Sequence, residues 1–150
     1  IINPTIGVLT NIGGAHQENF STLQDKCIEK LNLFRKCDIL VYDADNELIQ
    51  GCVNKAVMTA GEIAWSKKNQ EKPLFISAIE KSKASTTVKY RYLGLDNQYS
   101  IPFIDDASIE NSIHCLAVCL YLMISPDTIA ERMAKLEPLA MRLEVKDGKS

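Results

Sequence analysis

Ile6-Gly7-Val8-Leu9 is a short unbroken apolar run that ends in Thr10-Asn11-Ile12-Gly13-Gly14. That pattern predicts a buried strand feeding a glycine loop. From Leu23 to Lys36 the apolar residues recur at helical spacing. Asp38-Ile39-Leu40-Val41-Tyr42 predicts a second strand, stopped by Asp43-Ala44-Asp45-Asn46. Glu47 to Ala60 predicts a helix with Leu48, Cys52, Ala56 and Ala60 on one face. Glu62 to Trp65 predicts a third short strand. Strands and helices alternating at this spacing predict parallel βαβ units with right-handed crossovers.

The pattern then changes period. Between Thr86 and Leu93, Val88, Tyr90 and Tyr92 alternate with Lys89 and Arg91. Tyr99, Ile101 and Phe103 alternate again after Asp96-Asn97. Together they predict an antiparallel hairpin turning at Asp96-Asn97, with one wet face carrying Lys81, Lys83, Lys89 and Arg91. Pro102 pushes its strand toward a sheet edge. The last third is helical. Ile109, Ile113, Leu116, Leu120 and Ile124 form one stripe, and Ser125-Pro126-Asp127 starts a further helix that Pro138 ends. Arg142 to Val145 predicts a final strand. The expected class is α/β: a parallel sheet with flanking helices and a small antiparallel hairpin region.

Composition narrows the partners. The 150 residues hold 17 Lys+Arg against 19 Asp+Glu, a net charge of −2. No basic excess is present to bind a phosphate backbone, so nucleic acid is not an expected partner. The longest apolar run, Cys115 to Ile124, is too short to span a bilayer, so no membrane insertion is expected. None of the five cysteines forms a Cys-x-x-Cys pair. Reduced, buried thiols in a cytoplasmic protein are the simplest account. The chain starts at Ile1 inside a strand pattern and shows no signal peptide, so it reads as a piece of a longer protein. A sheet opened by that cut would leave an unpaired edge and favour self-association.

The first candidate for chemistry is the loop from Thr10 to Glu18, because ligands of open α/β sheets bind beyond the carboxyl ends of strands. Its glycines let a backbone approach a ligand closely, and it carries His16, one of two histidines. The helix that follows places Lys30 with Leu23, Cys27, Leu31 and Phe34, whereas Lys26, Lys36, Asp25 and Glu29 fall nearer the edges of that face or away from it. An ammonium on an apolar face either snorkels out, finds a carboxylate or loses its proton. A neutral amine could add carbon dioxide and become a carbamate, an anionic oxygen ligand for a divalent cation. His114 reads as a satisfied, partly buried histidine beside its helix stripe. Asp105-Asp106 could bind a metal but more simply start the helix. There is no phosphate loop of the Gly-x-x-x-x-Gly-Lys-Ser/Thr type and no Gly-x-Ser-x-Gly elbow.

Pro4-Thr5-Ile6-Gly7-Val8-Leu9-Thr10-Asn11-Ile12-Gly13, followed by Ala15-His16 and Glu18, resembles the central-domain signature of the Mur ligases, the ATP-dependent amide-bond ligases of peptidoglycan synthesis. Ser108-Ile109-Glu110-Asn111 to Leu122 is similar to that family's adenine-side helix, and Ala140-Met141-Arg142-Leu143-Glu144 to its junction with a C-terminal domain. Within the family the wording is most similar to members that join D-alanyl-D-alanine to UDP-N-acetylmuramoyl tripeptide, including a subgroup fused to an alanine racemase. The resemblance implies a partial Rossmann-like or P-loop-type sheet. It implies that residues 1–141 are the second half of a central ATPase domain, with 142–150 opening the next domain. It implies ATP and Mg2+ as cofactors, His16 and Lys30 (carbamylated in the family) as metal ligands and catalytic residues, and Asn11, Asn111 and Arg142 as nucleotide-binding residues. His114 stands where many relatives have a second asparagine. The phosphate loop lies upstream of the first motif in this family, so the piece by itself is expected to be inactive. Two alternatives remain: another ligase of the superfamily, such as a folylpolyglutamate synthase or a different Mur step, and a degenerate scaffold fused to a racemase.

Overall fold

In a computed structural model of the chain, residues 4–13, 21–56 and 59–137 are described. Six strands form one sheet in chain order: β1 (Ile6–Leu9), β2 (Ile39–Asp43), β3 (Gly61–Ser66), β4 (Leu74–Lys81), β5 (Thr86–Tyr92) and β6 (Leu95–Ile101). The first four run parallel, and β4, β5 and β6 pair antiparallel. Helix α1 (Leu23–Asn32) joins β1 to β2, and α2 (Glu47–Lys55) joins β2 to β3. Helices α3 (Asp106–Tyr121) and α4 (Pro126–Met133) follow the sheet. The expected α/β sheet with a hairpin is therefore present.

Strand alternation sorts the core into two layers. Ile39, Val41, Ile63 and Trp65 face one side and pack with α3 and α4 through Ile109, Ile113, Leu116, Leu120, Ile129 and Met133. Leu9, Leu40, Tyr42 and Ala64 face the other, against Cys27 and Leu31 of α1 and Ile49, Cys52 and Val53 of α2. Both parallel crossovers leave their helices on that second face, as a shared handedness requires. Caps fix the helix starts. Thr22 accepts from the Asp25 amide, Asn46 from Ile49, Asp105 from Ser108 and Ser125 from Thr128, with Pro126 opening α4. Asp105 and Asp106 thus begin a helix, and Lys81 pairs with Asp106 at 2.6 Å.

Three expectations are corrected. Strand β4 is not in the sequence pattern, yet it is the longest strand of the sheet at 8 residues. It begins level with the end of β3, pairing Trp65 with Leu74, so the short 67–73 connection suffices where a parallel partner would ordinarily need a long crossover. The hairpin turns at Leu93-Gly94, both at positive φ (50° and 79°), and not at Asp96-Asn97. That is the two-residue turn whose twist suits paired strands. Helix α1 ends at Asn32 and α2 at Lys55, several residues earlier than the periodicity suggests. The wet face of the hairpin is as expected, with Lys89 bonded to Glu80 and Arg91 to Asp96.

Candidate nucleotide site at the carboxyl ends of the parallel strands

Strands β1, β2 and β3 end side by side at Leu9, Asp43 and Ser66. A hydrogen-bonded loop ties two of these ends together. Asp45 accepts the Ser66 hydroxyl at 2.5 Å and the Lys67 amide at 2.7 Å, and Asp43 accepts the Asp45 amide at 2.8 Å. Burial raises the Asp43 carboxyl above its ordinary range, with the Asp45 amide bond acting against that rise. Lys67 lies 5.6 Å from the Trp65 ring centre and 3.9 Å from Glu110 of α3, so the first turns of α3 sit over the end of β3.

His114 projects from α3 into this corner and is 3% exposed. Its Nδ1 accepts the indole N–H of Trp65 at 3.3 Å, and the two rings meet edge to face. The indole is donor only, so a neutral His114 carries its proton on Nε2. Nε2 has no hydrogen-bond partner among the described residues. Burial pushes the His114 pKa down to about 4, while the Thr10 backbone pulls the other way from outside bonding geometry. The imidazole is therefore uncharged at neutral pH. It borders a cleft of about 360 Å3 lined by Val8, Thr10, Asn111, His114, Cys115 and Val118. The cleft has apolar walls and the exposed Asn111 on the same helix face, a combination that suits a flat heteroaromatic ring. Asn111 is exposed on the same helix face, one turn before His114. A nucleotide base fits the residues present.

The other expected site residues divide into two groups. Asn11 is exposed just beyond β1. His16 and Arg142 lie outside the described residues. The expectation for α1 is corrected: its buried lysine is Lys26, at 6% exposure, and Lys30 is half-buried near the C-terminal end of the helix. Lys26 donates to the Gly13 carbonyl at 2.6 Å. The reason is position along the helix as much as around it. Lys26 lies in the second turn, beside the loop that leaves β1, whereas Lys30 lies in the last turn. Lys30 still senses the core, since its charge acts to lower the neighbouring Cys27 thiol, which burial and Cys52 together raise to about 12. Among the described residues no three His, Cys, Asp or Glu side chains converge as a metal site. No helix there is long and apolar enough to cross a membrane.

Cys27, Cys37 and Cys52 are buried, as their stripes suggest, but Cys115 is exposed and Cys119 half-exposed. The sequence pattern misses Lys26, Asp43, Asp45 and Ser66. The only trace of the last three was an acidic stop after a strand and a serine after another. Both are common in turns, and only the sheet brings them together.

The family model described as the Mur ligase middle domain matches residues 1–119. The chain is 24% identical over 150 residues to the UDP-N-acetylmuramoyl-tripeptide--D-alanyl-D-alanine ligase of Bacillus subtilis, covering 97% of this chain and 31% of that protein. It is 21% identical over 142 residues to UDP-N-acetylmuramoyl-L-alanyl-D-glutamate--2,6-diaminopimelate ligase 2 of Clostridium acetobutylicum, covering 93% of this chain and 28% of that one. Among solved structures it is similar to the MurF ligase of Thermotoga maritima in complex with ADP. The TM-score is 0.71 and the identity 18%, over 89% of this chain and 31% of that one. The chain thus spans less than a third of the length of the curated relatives it matches.

Proposed function

The chain belongs to the Mur ligase family as part of its middle domain, and on that premise we propose that it is the base-binding half of the ATPase domain of a ligase that joins D-alanyl-D-alanine to UDP-N-acetylmuramoyl tripeptide. The observation that carries the nucleotide part is the apolar cleft beside Thr10, Asn111 and His114 at the carboxyl end of β1, with Asn111 exposed on the helix that borders it. The substrate part rests on the similarity to the D-alanyl-D-alanine ligase over nearly the whole chain. The ADP held by the Thermotoga maritima relative agrees with the nucleotide part.

In this reading the terminal carboxylate of the tripeptide attacks the γ-phosphorus of ATP, and ADP leaves. The resulting acyl phosphate is attacked by the amine of the dipeptide, which loses its proton as phosphate departs. Magnesium, when bound, offsets charge on the transferring phosphoryl group. Asn111 and His114 hold the base, and Asn11 faces the nucleotide from the end of β1. Arg142 serves the phosphates and the hinge to the next domain. His16 and a carbamylated Lys30 are the proposed metal ligands. Lys30 is half-buried in the last turn of α1, beside the buried Cys27 of the core.

A direct test uses the full-length protein with Mg2+, ATP, the tripeptide and D-alanyl-D-alanine. ADP release that requires both substrates supports the reading. Release that requires diaminopimelate and the dipeptide-bearing precursor instead would reassign the step to the other relative. Lys30→Ala abolishes ligation, with partial recovery on adding formate or acetate, which supply the missing carboxylate. Full activity in that variant would remove Lys30 from the site.

A further inference from the structure

Cys115 and Cys119 stand one turn apart on α3, with Cys115 exposed and Cys119 half-exposed. Both line the cleft that runs past Asn111 and His114. Cys27, Cys37 and Cys52 are buried instead, in the core layer on the other face of the sheet. The spacing decides what the accessible pair can do. Side chains at i and i+4 lean the same way on a helix, with Cβ atoms about 5–6 Å apart. A disulfide needs a Cβ separation of about 3.5–4.5 Å and side chains that face each other. The pair therefore cannot close a disulfide without unwinding α3, which is helical from Asp106 to Tyr121. A single bridging atom between the sulfurs spans the gap that a direct bond cannot. That atom has to be soft and content with two thiols. Thiols select soft centres, and among the described residues no group of three His, Cys, Asp or Glu is present to complete a Zn2+ site. Burial raises both thiols above their ordinary value of 9.0, and Cys115 raises Cys119 further. Both are protonated at neutral pH, which makes each a slow nucleophile alone. A ligand that takes both sulfurs gains from chelation, because the second attack is intramolecular.

From this geometry we infer that Cys115 and Cys119 form a capture site for trivalent arsenicals in the wall of the cleft. With an organic arsenic(III) oxide, each sulfur forms one bond to arsenic and the arsenic–oxygen bond breaks. The two thiol protons leave with that oxygen as water. Arsenic stays trivalent and both sulfurs keep their oxidation state, so no oxidant or reductant is needed. The captured group takes up part of a cleft of about 360 Å3, beside Asn111 one turn earlier on the same helix. That capture and an adenine base exclude each other rests on the function proposed above; the capture itself does not.

The test uses phenylarsine oxide on the native full-length protein, as wild type, Cys115→Ser and Cys119→Ser. Trypsin cuts after Arg91 and Arg132, and the peptide between them holds Cys115 and Cys119 as its only cysteines. After treatment and a wash with excess monothiol, that peptide in the wild type carries one arsenical less one water. Arsenic held by a single sulfur exchanges onto the monothiol, so each serine variant retains at least about tenfold less label. Dithiothreitol, which offers two sulfurs, releases the label from the wild type. An unlabelled wild-type peptide would overturn the inference, and so would a label that either serine variant keeps. Mg2+ and ATP supplied at about ten times the Kd of the nucleotide slow capture about tenfold, because the occupied cleft is closed to the arsenical. Capture at an unchanged rate would leave the thiol site standing and count against the base in this cleft, so the two readings fail separately.

Discussion

His114 couples the fold to pH. Its folded pKa is near 4 against an ordinary value of 6.5, because burial disfavours the imidazolium. Between those values the unfolded chain binds a proton that the folded chain refuses. The stabilisation is therefore complete above pH 6.5 and is lost as pH falls toward 4, a swing on the order of 3 kcal/mol. Asp105 and Asp106, whose carboxyls sit below their ordinary value of 3.8, lose their contribution only at still lower pH. Urea unfolding followed by Trp65 fluorescence should show a midpoint that falls between pH 7 and pH 4.5. In His114→Asn that fall should be clearly shallower; an equal fall would locate the proton uptake elsewhere. At this scale the sequence was only partly legible. His114 was visible as a histidine beside a stripe, but its bond to Trp65 joins positions 49 residues apart. Lys30 was visible as a lysine on an apolar face. That Lys26 is the one turned inward depends on the loop from β1 crossing the second turn, which helical periodicity does not encode.

Among the elements, the βαβα portion was the most readable, because buried parallel strands are continuous apolar runs and the helices carry regular caps. Strand β4 was not, for a local reason. Its register slips between Ile76 and Ala78, so Leu74, Ile76 and Ile79 reach the same core without a constant period of two. The Leu93-Gly94 turn was hidden because leucine is an unusual residue at positive φ. A sharper expectation concerns two glycines, Gly7 within β1 and Gly13 in the loop that follows it. A Cβ at Gly7 would lie 2.8 Å from the Phe34 ring, whereas one at Gly13 meets nothing within 4 Å. Gly7→Ala should cost about 1–3 kcal/mol through forced displacement of the Phe34 ring, which follows α1, from β1. Gly13→Ala should leave thermal stability near that of the wild type. Equal melting temperatures for the two variants would contradict this packing.

Across the whole molecule, two helical layers sandwich the parallel half of the sheet, and only one covers the antiparallel half. Among the described residues β1 pairs on one side only and bears no charged residue, while β6 at the opposite edge carries Asp96. An uncharged edge invites pairing with another strand. The 150-residue chain by itself should therefore associate with rising concentration in sedimentation experiments, and Val8→Lys should suppress this. A chain that stays monomeric throughout would show the edge to be protected. The cleft opens along that same edge and meets α3 at Asn111 and His114, the position proposed for the base of ATP. The most direct measurement is a structure of the full-length protein with Mg2+ and a non-hydrolysable ATP analogue. The purine ring should lie in this cleft, with an acceptor nitrogen in hydrogen-bonding reach of the Asn111 amide. An analogue bound elsewhere, with the cleft filled by protein side chains, would contradict it.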